Sequence, residues 1–239
     1  PDIYANEIKL QGYQPIEPLS QILTHLSEVV KNNLSQLFSY KDMRRLIDSL
    51  DKEYLKLVEE ICPTHLSFSG LQAVFKLLLA ERVSVRNVTQ LLEAIAEVAP
   101  YSKRGEQIVA HVRTRISQQI CGDVMQDGQL KLLRLGDYWE GVFSEALKRD
   151  QRGEIADFQM SSEDLEQFGK HATKTIKDLI DQRQMFAVTT SPENRGYVRM
   201  IVERIFPTLP VLSTLEIARG MDVKIIGTIQ IGRASCRER

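Results

Sequence analysis

Four histidines, at positions 25, 65, 111 and 171, are the first residues to test for chemistry. Imidazole serves as acid–base catalyst and as metal ligand. A two-histidine metal site on one helix needs ligands a turn apart, as in HExxH. No pair of the four has that spacing, so neither a metal nor a cofactor is expected. His25 falls between Leu23 and Leu26 and reads as a residue at the edge of a buried apolar stripe. There is no GxSxG nucleophile elbow and no Walker phosphate loop. The carboxylate pairs Glu59-Glu60 and Asp178-Asp181 sit on polar helix faces, where a solvated surface is the simpler reading.

One loop stands where a βαβ unit would hold a phosphate: Thr189-Thr190-Ser191-Pro192-Glu193-Asn194. It has no glycine to let the backbone approach an anion. Pro192 removes an amide donor, and Glu193 places negative charge at the helix start. Nucleotide binding is not expected there. Lys41, Arg44 and Arg45 form the densest basic patch of the first half. They fit a solvated face better than contact with an acidic protein or a phosphate. A helix-turn-helix reader at residues 71–99 would need several basic residues where its second helix begins. Only Arg86 is there, followed by Asn87, Thr89, Gln90 and then acidic residues.

Composition narrows the class further. The 239 residues are 43% hydrophobic and 26% charged, which is globular rather than disordered. Basic and acidic residues number 31 and 32 and are well mixed, so no basic field draws nucleic acid or a membrane surface. Runs such as Leu77 to Ala80 are far short of the roughly 18 apolar residues of a membrane span. The sequence starts at Pro1 and reads as a piece of a longer chain. Residues 231–239, IGRASCRER, lack hydrophobic period and resemble a translated sequencing adapter, a non-native tail. Without it the charges are 28 against 31, and only Cys62 and Cys121 remain. Two cysteines without CxxC spacing imply neither zinc site nor disulfide framework and fit a reducing cytoplasm.

The positioning elements follow from periodicity. Glu7 to Leu10 reads as a strand ending at Gly12. Leu19, Ile22, Leu23, Leu26, Val29, Val30, Leu34 and Leu37 recur at three and four, which predicts one continuous helix with a buried stripe. Ser39 and Asp42 resemble a capping box. Short helices follow around Leu46 and around Tyr54 to Ile61, the latter stopped near Pro63. Ser69-Gly70 opens a helix through Leu78, and Ser84 caps the next, which ends at Pro100. Ile108, Val109, Val112, Ile116 and Ile120 mark a last helix. After Gly122 the rhythm changes. Leu130–Leu135, Met185–Thr189, Leu209–Ser213 and Val223–Ile229 read as strands. Between them lie a helix near Tyr138–Leu147, a polar loop at 151–157, a long helix capped at Ser161, and a helix with Ser191 as cap and Pro192 at its first position. The expected fold is α+β. A compact helical subdomain precedes a small α+β subdomain whose mixed sheet contains a βαβ unit.

Leu77-Leu78-Leu79-Ala80-Glu81-Arg82-Val83-Ser84-Val85-Arg86-Asn87-Val88 resembles the type III secretion export-gate family, known as InvA/LcrD/FlhA. Leu91 to Ala96 and Ala99-Pro100 continue the likeness. Gly12-Tyr13 and Ile22 to Val30 are similar to the segment leading into the family's helical subdomain. Val188 to Ser191, Phe206-Pro207, Leu209 to Ser213 and Glu216-Ile217 are similar to its terminal subdomain. The blocks stand in order across residues 8 to 230, and Glu81 to Asn87 favours the virulence branch. The chain departs from virulence relatives at Val98, where a Trp is frequent, and at Tyr101-Ser102-Lys103-Arg104.

The resemblance implies the cytoplasmic part of a bacterial inner-membrane protein, its membrane-spanning part absent here. It divides the chain into the end of a first subdomain (1–36), a helical subdomain (37–121), a terminal α+β subdomain (122–230) and the tail. It implies a ring of nine subunits without enzymatic activity. That ring is a docking platform for secretion chaperones with their substrates, the gatekeeper and the ATPase stalk. Lys41, Arg44, Glu81, Arg82 and Arg86 are the expected subunit or partner contacts. For Arg82 and Arg86 an internal salt bridge that orients two helices is an equal alternative. The competing function is a stand-alone helical adaptor or nucleic-acid-binding module. A βαβ enzyme in the second half lacks a phosphate loop and a nucleophile.

Overall fold

A computed structural model describes residues 17–151 and 153–230. The strand expected at Glu7–Leu10, the turn at Gly12 and the tail 231–239 lie outside the described residues. Internal packing divides the chain into two units, 1–111 and 112–239. That division falls inside helix α7 below, a helix that the sequence assigns wholly to the helical subdomain.

The first unit is helical. Helices α1 (Pro18–Asn32), α2 (Leu34–Leu37), α3 (Tyr40–Asp48), α4 (Lys52–Ile61), α5 (Phe68–Ala80), α6 (Val88–Val98) and α7 (Gly105–Arg115) follow one another. Met43, Ile61, Leu71, Phe75, Leu78, Leu92 and Ile95 are almost fully buried. Burying each such side chain stabilises by about 1.5–3 kcal/mol. The capping box is real. Ser39 Oγ accepts from the Asp42 amide at 3.2 Å, and the Asp42 carboxylate accepts from the Ser39 amide at 3.0 Å.

Four expectations change here. The helix of 18–37 is interrupted at Asn33, where α1 ends and α2 begins. Its apolar stripe is not buried: Leu19 is 65% and Ile22 63% exposed, and His25 is exposed with them. Helix α5 starts at Phe68 with Ser67 as its cap, Ser67 Oγ accepting from the Gly70 amide at 2.9 Å. Ser84 is not the cap of α6: after the turn at 81–82 residues 83–87 carry no helix, Ser84 Oγ accepts from the Arg86 amide at 3.5 Å, and Asn87 accepts from the Gln90 amide. The period of three and four marks apolar faces. It does not locate the turn where the backbone runs out of intrahelical partners.

The second unit begins with the end of α7 and α8 (Ser117–Val124), so the expected last helix is broken at Ile116. Then come β1 (Gln129–Leu135), α9 (Asp137–Ala146), β2 (Leu147–Arg149), β3 (Ile155–Phe158), α10 (Ser162–Asp181), β4 (Ala187–Thr190), α11 (Arg195–Ile205), β5 (Val211–Ser213) and β6 (Asp222–Ile229). The main sheet has the order β5-β4-β1-β6, and all its pairings are parallel. The expected mixed sheet is thus two separate sheets. The antiparallel pairing belongs to a ribbon of β2 and β3, with Leu147 opposite Phe158. Crossovers return the chain to the same end of the main sheet each time, which enforces parallel pairing. The ribbon also claims residues 155–157, which read as loop.

Side chains alternate between the sheet's two faces. Leu133, Leu135 and Val188 point into a core with Trp139, Phe143, Phe168 and Val202. Gly136 lets β1 turn into α9. A Cβ there would lie 2.7 Å from the Ile229 carbonyl oxygen, to which the Gly136 amide donates at 3.0 Å.

Candidate docking surfaces

Among the described residues, the chemistry-bearing side chains are not gathered into one centre. His25 lies on the exposed α1. His111 pairs with Glu97 at 2.9 Å, and the His171 ring rests 5.8 Å from that of Trp139. No group of three or more His, Cys, Asp or Glu among the described residues is arranged to hold a metal ion. Burial pushes the Cys62 and Cys121 thiols above their usual pKa, which keeps them protonated and poorly nucleophilic.

The loop after β4 is filled by the protein itself. Glu140, from the first turn of α9, accepts from Thr190 Oγ1 at 2.7 Å and from the Ser191 amide at 3.0 Å. Its second oxygen accepts from Asn194 Nδ2 at 2.7 Å. A carboxylate therefore occupies the donors that a phosphate would use. Glu193 turns outward to Arg149 at 2.7 Å. Helix α11 begins at Arg195, not at Pro192. Ser191 contributes its carbonyl to the Arg195 amide, and residues 192–194 form a turn.

Behind that loop lies a buried ion cluster that periodicity did not reveal. Glu216 is 1% exposed. It takes two bonds from Arg113, at 3.0 and 2.7 Å, and an ion pair from Arg195 Nε at 3.3 Å. Arg199 is buried as well, donating to the Leu209 carbonyl at 3.1 Å and to Glu203 at 3.0 Å. The cluster ties α7, α11 and the turn after β5. The one available sign was Arg195 and Arg199 at i,i+4, and that spacing is equally common on solvated faces.

The expected contact residues fall into two groups on the helical unit. Lys41 and Arg44 stand exposed on α3. The Arg44 guanidinium lies 4.3 Å from the centre of the Phe68 ring and 5.6 Å from that of Tyr40, a cation–π stack that fixes its direction. Glu81, Arg82 and Arg86 belong to the connection between α5 and α6. Arg82 has φ 59°, in the left-handed region. Its amide donates to Leu79 O at 3.0 Å and the Val83 amide to Leu78 O at 2.9 Å, the bond pattern of a Schellman cap. Glycine is the usual residue there, and a side chain costs about 1–2 kcal/mol. The Arg82 guanidinium donates to Asn32 Oδ1 at the end of α1. Arg86 is exposed in the same connection. The structure thus separates Lys41 and Arg44 on α3 from the other three, and it turns Arg82 toward α1.

Among the described residues, α1 carries an exposed row of apolar side chains. None of its residues is buried, and Leu19, Ile22, Leu23, Leu26, Val29 and Val30 are all exposed. No helix among the described residues is long and apolar enough to cross a membrane.

The described residues thus offer an exposed apolar helix and charged helix surfaces as candidate sites, beside a strand-to-helix loop filled by a carboxylate. Comparison with known proteins gives the family: residues 2–222 match the FHIPEP family, and the chain belongs to it. Flagellar biosynthesis protein FlhA of Caulobacter vibrioides is 32% identical over 232 residues, covering 95% of this chain. Protein MxiA of Shigella flexneri is 26% identical over 206 residues, covering 85%. The chain spans only 32% and 29% of those two relatives' lengths. Its fold is that of the solved Shigella flexneri MxiA, with a TM-score of 0.77 at 25% identity over 90% of this chain and 69% of that one. Nonameric EPEC SctV-C has a TM-score of 0.77 at 22% identity, covering 95% and 68%. Chlamydia pneumoniae CdsV, solved in complex with CdsO, has a TM-score of 0.79 at 20% identity, covering 96% and 67%.

Proposed function

We propose that this chain is part of the cytoplasmic docking platform of a type III protein secretion export gate. It works within a homo-oligomeric ring of nine, anchored in the bacterial inner membrane by a part that precedes this segment. The ring receives chaperone–substrate complexes and contacts the gatekeeper and the ATPase stalk. The carrying observation is the family match over residues 2–222. The nonameric state of SctV-C supports the ring, and the CdsV–CdsO complex supports a stalk-type partner.

On this reading residues 1–36 end the first subdomain. The exposed stripe of α1 is then the face that packs on the rest of that subdomain. Residues 37–121 are the helical subdomain, 122–230 the terminal one, and 231–239 a non-native tail. Lys41, Arg44, Glu81, Arg82 and Arg86 serve as subunit or partner contacts, and the turn at Glu81-Arg82 shapes the connection that presents Arg86. An arginine held where glycine is easier supports that role, since strain of this kind collects at working sites. Ring interfaces are heterologous and must close, which suits polar, mixed-charge surfaces.

The test is direct. The chain, extended by its own upstream cytoplasmic residues, should form nonameric rings by electron microscopy and retain a cognate chaperone–substrate pair. A monomer that retains none would defeat the proposal. Charge reversal at Lys41 and Arg44 should break rings while leaving helix content unchanged.

A further inference from the structure

We propose that a groove along helix α9 docks a basic amphipathic helix of a partner protein. This rests on the docking reading above and names one of its surfaces. The groove holds about 590 Å³ and is bounded by α9, the segment 159–161 that follows β3 and the first turn of α10. Tyr138, Val142 and Met160 give it an apolar floor, and Asp137, Glu145 and Asp164 stand at its rim. No Lys or Arg lines it.

Three features specify the occupant. On α9 the lining positions form two parallel rows at i,i+4: Tyr138-Val142-Ala146 and Asp137-Gly141-Glu145. Such rows are the ridges and grooves into which another helix packs. Gly141 is the second feature. It is exposed at the middle of its row, and a Cβ built on it meets nothing within 4 Å. Glycine inside a helix weakens it, and no neighbour among the described residues requires one here. The gap admits the side chains of a second helix. Charge is the third. Asp137 is paired with Arg134 at 2.8 Å, and the Asp164 carboxylate accepts from the hydroxyl of Ser161, the cap of α10, at 2.6 Å. Glu145 adds an exposed carboxylate over the apolar floor. An anionic rim over an apolar floor matches a helix with aliphatic residues on one face and lysines or arginines beside them.

Trp139 is the chain's only tryptophan, buried directly behind Tyr138 with ring centres 5.1 Å apart. Its fluorescence therefore reports occupancy. The probe is a leucine–lysine amphipathic peptide of about 18 residues, long enough to be helical, titrated into the 239-residue chain. The control has the same leucines with glutamate in place of lysine. The lysine peptide should bind and shift the fluorescence, with the glutamate peptide at least about tenfold weaker. Gly141→Leu should raise Tm, because leucine is the better helix former, and should weaken binding at least about tenfold by filling the groove. Glu145→Lys should weaken the lysine peptide and not the glutamate peptide. Equal binding of both peptides, or unchanged binding to Gly141→Leu, overturns the proposal. In the ring assay, wild type and Gly141→Leu that retain the cognate chaperone–substrate pair, gatekeeper and stalk equally overturn the groove alone. A wild type that retains none of them overturns the platform.

Discussion

The two units solve the same burial problem in different ways. Among the described residues, the buried polar and charged side chains are Arg113, Thr189, Thr190, Asn194, Arg195, Arg199, Ser213 and Glu216. All belong to the second unit, and the buried core of the helical unit is apolar. The difference comes from topology. Helices satisfy their own backbone, and short helix–helix connections stay at the surface. A parallel sheet brings strand ends, crossover loops and helix starts together under cover, and their donors need partners. Glu140 and Glu216 supply them. The helical unit is therefore held by shape, and the α/β unit by shape and charge together.

The sharpest way to break this contrast is Glu216→Ala. It leaves the Arg113 and Arg195 guanidinium groups buried without their carboxylate, which costs about 3–5 kcal/mol. Urea unfolding followed by Trp139 fluorescence should show the loss. A change below about 1 kcal/mol would mean that water reaches the cluster in solution. Leu92→Ala, in the helical unit, should cost about 2–5 kcal/mol through the cavity alone. Its effect should be insensitive to salt and to pH between 5 and 8.

Smaller effects sharpen the comparison at the surface. Ser39→Ala removes half of the capping box of α3 and should cost about 1 kcal/mol. The same box gives the helical unit an acid-sensitive point. The Ser39 hydroxyl and amide hold the Asp42 carboxyl below its usual pKa. Its stabilisation is therefore complete above the unfolded aspartate's pKa and fades as pH falls through the lowered folded value. Acid titration of helix content by circular dichroism should show this fading in wild type and not in Asp42→Asn. Arg82→Gly has the smallest net effect. It relieves about 1 kcal/mol of left-handed strain but gives up the bond to Asn32. Tm should change little, while amide exchange at the end of α1 should quicken. Unchanged exchange there would show that Arg82 does not hold α1.

The elements that periodicity located best are those whose apolar face and burial coincide, such as α10 after its Ser161 cap and strand β1. It misled where the two part. The stripe from Leu19 to Leu37 has an ideal spacing, yet it is exposed, because spacing says which side is apolar and not what covers it. Ser84 and Ser191 are good caps by residue type, but the backbone enters each helix three or four residues later. Of the expected contact residues, the sequence supplied the charges at Lys41, Arg44, Glu81, Arg82 and Arg86. The stacking of Arg44 on Phe68 and the turn of Arg82 toward Asn32 required the fold.

The sequence by itself determined the helical and α+β halves, the absence of a glycine phosphate loop and, through blocks in register, the family. These depend on local periodicity, turn chemistry and residue order, which are written along the chain. The tertiary structure alone decided that the sheet is wholly parallel, that Glu140 fills the strand-to-helix loop and that Arg113 meets Glu216. It also decided that the rows on α9 enclose a groove with the start of α10. Each of those joins residues far apart in sequence, and the pairing of distant groups is set by how elements pack, which no local pattern encodes.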